Sequence, residues 1–481
     1  MIDIGSNSIR LVVFERPDRA PQPVFNERVF CGLGRGIAES GRLDADSVAV
    51  ARTNIARYVR LAEAIGSREV HLIATAAVRD AGNGAQFVAD VEKQTGRKVQ
   101  VIAGADEARY SALGVIAGTP EADGFMGDLG GGSLELTQIK DGNPGASVTL
   151  TIGSLRLLTG SHGDRRVARE EVDRQLEAVP WLETMRGRTL YAVGGTWRSI
   201  ARLDMELRDY PMHVIHGYIA SRKQMEALAQ FVERLGRKSL SGITSVPRRR
   251  HETLPFGALA LTRLLRLTKP KRVVFSSYGL REGFLFDRLD AAERRADPLV
   301  SGALRMAQRE SRFPDFGAVL ADWIAPLFSF ESPEERRLRI AACHLSDIGW
   351  MEHPDYRAIQ AFLRVARSSL VGIDHPGRAF VAGAVLTRYG GEIDHPDVAK
   401  VLNLLDKETV QRARGIGAAL RLGYTLSGGA DNLLRRTSLT HDRDEIRLKL
   451  PTDGSVPVGE AVERHLESLA KALDAKRGRL A

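Results

Sequence analysis

The sequence predicts an α/β protein: two copies of one α/β fold facing each other across a cleft, then a helical domain and a small α+β domain. Three observations predict it. MIDIGSNSIRLVVF at the start is echoed by MGDLGGGSLELTQI from Met126, with Asp3 over Asp128, Gly5 over Gly130 and Ser8 over Ser133. Strand and helix patterns alternate over roughly the first 290 residues, which is the signature of strands buried against covering helices. Near Ala291–Pro298 the strand signals stop and helical spacing takes over.

In chain order, the opening hairpin is followed by apolar residues at helical spacing from Ala45 to Ile65, the short strand HLIATAA, a helix from near Gly84, the strand KVQVIA and the helix EARYSALGVIAG. Gly-Thr-Pro-Glu after Ala117 marks the end of a first domain, 1–118. The second, 119–290, restarts with the echoed hairpin and continues through SVTLTIGSLRL, the strand TLYAVGG, the helix TWRSIARL, the strand KRVVFSS and the helix LREGFLFDRL. A repeat of this size implies a duplicated fold. The helical domain is assigned to 296–425. The last, 426–481, holds the strand pattern DEIRLKLP and the amphipathic helix VGEAVERHLESLAKAL.

The 481 residues exceed what one core serves. No apolar run is long enough to span a bilayer and no signal-peptide pattern opens the chain, so a membrane location is not expected. Cys31 and Cys343 are far apart and suggest neither a disulfide framework nor a metal cluster, which fits a reducing cytoplasm. The strand at Met1–Ile4 is short beside its partner Ile9–Glu15, so the natural chain is expected to start a few residues earlier. Lys and Arg outnumber Asp and Glu by 69 to 60, a net charge of +9, with clusters at Pro-Arg-Arg-Arg-His, Lys269–Arg272 and Arg336–Arg339. Such an excess suits either solubility or a polyanionic partner. No RNA-binding sheet signature, zinc finger or basic zipper is present, so specific nucleic-acid binding is not expected.

The repeated turns carry the chemistry. Gly, Ser and Asn in a tight turn let backbone N–H groups converge on one point, a nest for a phosphate. Hairpin turns favour the same residues for purely structural reasons, but two turns with Asp, Gly and Ser in one register argue for a shared task. Gly5, Ser6, Asn7 and Ser8 form one nest; Gly130, Gly131, Gly132 and Ser133 form the other. An Asp before each turn would repel the phosphate unless a divalent cation lies between, and Mg²⁺ is held by one or two carboxylates plus phosphate oxygens.

The pairing resembles the phosphate loops of the actin, sugar-kinase and heat-shock ATPase superfamily, with its ribonuclease H-like domains. IDIGSNSIRLVV, ATAAVRDAGN, GADEARYSALGV, GDLGGGSLEL, IGSLRL, VGGTWRSIARL and YGLREGFLFDRL, in this order, narrow it to a resemblance to the exopolyphosphatase and guanosine pentaphosphate phosphohydrolase family. The resemblance implies a Mg²⁺-dependent exopolyphosphatase, with Asp3 and Asp128 on the metal. It implies Glu107 as the catalytic carboxylate that polarises the attacking water and Glu135 as its partner or rival. It also implies Arg10, Arg79 and Asn83 at the phosphate, and Gly153, Arg156, Gly194, Gly195 and Thr196 as cleft or nucleotide loops. Glu107 also suits a helix start electrostatically, and Arg79 and Gly194–Thr196 have ordinary structural readings. The partners implied are inorganic polyphosphate, or guanosine penta- or tetraphosphate on the same site, and a second copy in a homodimer. A sugar-kinase-like phosphotransferase and a non-catalytic nucleotide or polyphosphate sensor are the rival classes.

AACHLSDIGW in the helical domain resembles the metal helix of HD-type phosphohydrolases, but Ser346 precedes Asp347 and His344 is displaced, so the His-Asp pair is broken. His353, His375 and His395 each precede a proline, as at helix starts. A second metal site is not expected there.

Overall fold

The computed structural model describes every residue except 237, 238, 241 and 443. The chain divides into two compact units. One holds 1–210 with 214–295; the other holds 296–481 with 211–213.

The first unit contains both copies of the repeat. β1 (Ile2–Ile4), β2 (Ser8–Phe14), β3 (Pro23–Phe30), β4 (Leu72–Ala74) and β5 (Val99–Val101) form a sheet ordered β3-β2-β1-β4-β5. β6 (Gly124–Leu129), β7 (Leu134–Lys140), β8 (Asn143–Leu150), β9 (Thr189–Val193), β10 (Tyr218–Ser221) and β11 (Arg272–Phe275) form another, ordered β10-β11-β9-β6-β7-β8. The sheets match: three antiparallel strands, then parallel neighbours, with β10 as an extra antiparallel edge. Asp3 pairs with Arg10 across β1 and β2, and Asp128 pairs with Glu135 across β6 and β7. The alignment read from sequence is therefore also an alignment of hydrogen-bond register.

Each sheet has its own apolar core. Tyr58, Ile55 and Phe87 fill the first; Trp197, Phe125 and Phe275 fill the second. A third cluster, including Met126, Tyr110, Val115 and Phe284, lies under the helices Gly104–Gly118 and Leu280–Phe286. Those helices touch backbone to backbone: a Cβ on Gly283 would collide with the Tyr110 carbonyl, and one on Gly114 with Gly279. Glycine is required at this crossing, and the crossing holds Glu107 and Arg281 in place.

In the second unit, helices Pro298–Glu310, Phe316–Ile324, Pro333–His344, Arg357–Ala366, His375–Arg388 and Lys407–Ser427 precede a small sheet. β12 (Ser438–Asp442), β13 (Glu445–Lys449) and β14 (Arg477–Leu480) form it, with the helix Glu460–Ala472 alongside. Only β13 has a clear strand pattern in the sequence. Asp347, at the broken His-Asp motif, accepts from the Arg312 backbone at 3.1 Å and its Nε at 3.0 Å, with Arg388 at 3.9 Å. Two arginines thus occupy its oxygens. His395 caps a helix through Asp397 N, and His375 is buried at the start of another.

Candidate active site

The two turns meet. Gly5 N donates to Ser8 O at 3.1 Å, and Gly130 N to Ser133 O at 3.0 Å, so both turns close with the same backbone bond. A Cβ on Gly131 would lie 3.3 Å from Ser6 and Asn7, and one on Gly132 2.6 Å from Ser6 Oγ. Side chains there would pry the turns apart. Gly153 packs against the backbone of Gly131–Ser133, and Leu155 N and Arg156 N donate to Gly131 O at 2.9 and 3.0 Å. Helix Ser154–Gly160 therefore anchors the second turn from behind. Among the described residues, the N–H groups of Ser6, Asn7, Gly131 and Gly132 donate to no protein atom. Unpaired N–H groups on two facing turns are what a tetrahedral oxyanion needs.

The turns line a crevice of about 170 Å³. Asp3, Glu107 and Asp128 line it. Glu107 sits in the first turn of helix Gly104–Gly118 and accepts from Arg79 Nη1 at 3.0 Å. Burial pushes its carboxyl up to about 7, Arg79 opposing and Asp128 and Asp3 adding to the rise. Asp128 accepts from Ser111 Oγ at 2.7 Å and is also raised, chiefly by burial. Asp3 accepts from Arg281 Nη1 at 2.9 Å. Glu135 is 2 % exposed; its Oε1 is buried with no hydrogen-bond partner, and burial, then the charges of Glu107 and Asp128, raise it well above the usual carboxylate range.

This donor set is of the kind that a hard divalent cation takes. The groups are hard oxygens, the carboxylates repel one another, and Asp3 and Asp128 each use Oδ2 for the bonds above. Among the described residues no three metal-binding side chains converge, so the chain alone offers no complete cage. That agrees with an ion held by one or two carboxylates and completed by phosphate oxygens and water.

Facing the carboxylates is a set of arginines. Arg28, Arg198, Arg250 and Arg281 line the crevice, and all four were overlooked as site residues in the sequence. A groove of about 300 Å³ shares Arg28, Arg198 and Arg250 with it and adds Arg10, Arg202 and Arg249. Arg10 Nε donates to Asn26, Arg198 to the Gly194 and Ser277 carbonyls, and Arg250 to Thr196 Oγ1, all neutral acceptors. Burial first and neighbouring guanidinium charges second lower Arg28 to about 9 and Arg250 to about 10. Burial, followed by Arg281 and Arg198, lowers Arg10 to about 10. Buried cations are normally paired with carboxylates. Arg281 has Asp3; the others, among the described residues, are held together without an ion pair and make a strongly positive track.

The structure gathers both turns, Asp3, Glu107, Asp128 and Gly194–Thr196 around the crevice. Glu135 lies behind its surface, and Arg79 reaches it by way of Glu107. Arg10 belongs to the adjoining groove. Two of the expected residues lie away from the crevice. Asn83 does not reach the phosphate turns: its amide clamps the Leu43 backbone, accepting at 2.7 Å and donating at 3.1 Å. Arg156 turns to Asp80 at 3.1 Å on the far side of the turns, where a cavity separate from the crevice lies. Arg198, Arg250 and Arg281 stood within segments already noted, VGGTWRSIARL, Pro-Arg-Arg-Arg-His and YGLREGFLFDRL, and a count of basic residues there would have found them. Arg28, in an ordinary strand, gives no such signal.

Residues 12–292 match the Ppx/GppA phosphatase family, and residues 299–480 match the family described as exopolyphosphatase, C-terminal. The chain is 28% identical to exopolyphosphatase 1 of Mycobacterium leprae over 63% of its own length and 93% of that protein. It is 25% identical to retrograde regulation protein 2 of Saccharomyces cerevisiae, over 82% of this chain and 73% of that one. The crystal structure of the Aquifex aeolicus Ppx/GppA family member superposes with a TM-score of 0.51 at 25% identity, covering 59% of this chain and 94% of that one. No helix among the described residues is long and apolar enough to cross a membrane.

Proposed function

Because the chain belongs to the Ppx/GppA phosphatase family, we propose that it acts as an exopolyphosphatase, releasing orthophosphate from the end of inorganic polyphosphate. It is a hydrolase of the exopolyphosphatase family with an actin-like fold. The observation that carries the substrate is the arginine track without carboxylate partners that leads away from the paired turns. A polyphosphate chain has a charge on every unit, so one such track serves it along its length.

The terminal phosphate would sit between the turns, its oxygens taking the free N–H groups of Ser6, Asn7, Gly131 and Gly132. Glu107 orients a water for in-line attack and takes its proton. A carboxyl near 7 is poised for that task, since a base works best with a pKa close to the working pH. The bond from the terminal phosphorus to its bridging oxygen breaks, and the shortened chain keeps that oxygen. Burial and the charges of Glu107 and Asp128 favour the neutral form of Glu135, which lessens the negative charge beside Glu107. Arg281 and Arg28 face the charge on the phosphoryl oxygens. Mg²⁺ on Asp3 and Asp128, when bound, would neutralise part of that charge. We propose with this reading the four-part division at 1–118, 119–290, 296–425 and 426–481, a homodimer, and a cytoplasmic location.

The test compares orthophosphate release from long-chain polyphosphate and from guanosine pentaphosphate, with Mg²⁺ and without any acceptor. Polyphosphate is expected to be preferred by about tenfold or more in kcat/KM, a difference of roughly 1.4 kcal/mol. A reversed preference would replace the substrate assignment with the nucleotide. No release from either would leave a sensor.

A further inference from the structure

The crevice has a second side. Ser6, Ala76, Gly131 and Gly132 line the crevice and also a cavity of about 10 Å³ behind the turns, room for one water at most. The wall between the two is therefore made of two small side chains and two glycines. Beyond it stand Asp80 and Arg156. Asp80 is held by Arg79 at 3.2 Å and Arg156 at 3.1 Å, and Arg79 in turn holds Glu107 at 3.0 Å. One guanidinium nitrogen of Arg156 is used by Asp80; its other N–H groups have no hydrogen-bond partner among the described residues, and its side chain is 25% exposed.

We infer that this rear cavity is an exit for product: orthophosphate leaves the paired turns through the Ser6–Gly132 wall and is met by Arg156. The inference rests on the exopolyphosphatase reading and goes beyond it. After cleavage the freed phosphate lies between the turns, and the shortened chain occupies the arginine track beside it. Departure by the front would require the chain to let go first. Departure by the rear lets the chain stay on its arginines and advance by one unit. The chemistry around the cavity suits this. Asp80 is paired with Arg156 and shares Arg79 with Glu107, so its charge is offset, and Arg156 retains donors for an anion. At about 10 Å³ the cavity cannot hold a phosphate at rest, so the turns must part for each departure. Glycine at 131 and 132 keeps that motion free of side-chain collisions.

The experiment follows orthophosphate formed and orthophosphate released separately on inorganic polyphosphate. Rapid acid quenching reads the first, and a fluorescent phosphate-binding protein reads the second. Arg156→Gln removes the receiving charge, and Ile37→Trp fills the cavity from its outer wall. In both variants first-turnover formation should match the unaltered protein while release slows by about fivefold or more, as when product departure limits kcat. Release that keeps pace with formation in both variants overturns the exit. So does formation slowed as much as release, which would place Arg156 in the chemistry through Asp80, Arg79 and Glu107. If the unaltered protein forms no orthophosphate from polyphosphate, the substrate reading fails instead, and the two failures are told apart.

Discussion

The hairpins β1–β2 and β6–β7 share backbone register and turn hydrogen bond, yet they carry opposite charge at the equivalent position, Arg10 in one and Glu135 in the other. Their leading aspartates differ as well: Asp3 is held by buried Arg281, Asp128 by the hydroxyl of Ser111. A duplicated scaffold has thus kept the backbone of the turn and divided what surrounds it. The first arm faces the arginine groove, where the chain would lie. The second arm sits beside Glu107, where water would attack. Backbone nests are indifferent to side chains, so the grip can be copied unchanged while flanking charges specialise.

The largest expected effect breaks the acidic arm. Glu107→Gln should lower kcat by about 10²–10⁴-fold with KM nearly unchanged, since it removes the base while keeping shape; steady-state orthophosphate release measures it, and a near-normal kcat would end the mechanism.

Neutralising the matched positions sharpens the comparison. Glu135→Gln should reduce kcat by about tenfold or less, because burial and the neighbouring carboxylates already favour the neutral form that Gln imitates, and should leave KM alone. Arg10→Gln should do the reverse, raising KM for long chains several-fold and lowering the slope of log KM against log salt by about one. Identical kinetic signatures in these two variants would show that the arms had not divided their roles.

The smallest effect is on stability. The raised carboxyl of Glu107 lets the folded state keep a proton that the unfolded chain loses above its ordinary value near 4.5. Stability is therefore lost as pH rises from there through about 7 and is level beyond. Glu107→Gln cannot titrate, so it should gain on the native protein across that window, by about 1–3 kcal/mol at pH 8 and nothing at pH 4. Chemical denaturation at the two pH values checks this. An equal difference at both would mean that Glu107 ionises normally in the fold.

Much of this site is visible in the linear text because it is local. The two turns, the aspartates before them and Glu107 at a helix start follow from what tight turns and first helical turns select. Asn83 looked equally eligible and is elsewhere, because the Leu43 backbone competes for its amide. Arg156 was drawn off by Asp80. Arg28 was invisible, because nothing in a strand reading Asn-Glu-Arg-Val marks which arginine will be buried beside others.

By itself the sequence determined the repeated hairpin, its glycine-lined turns and the order of the α/β units, since such turns and alternating strands are properties of consecutive residues. Only the tertiary structure decided which distant arginines, 10, 28, 198 and 250, stand together without a carboxylate bonded to them, and that the wall behind the turns is thin. Those outcomes depend on which partners each charge meets after the two sheets close on one another, and that competition takes place between segments far apart in the chain.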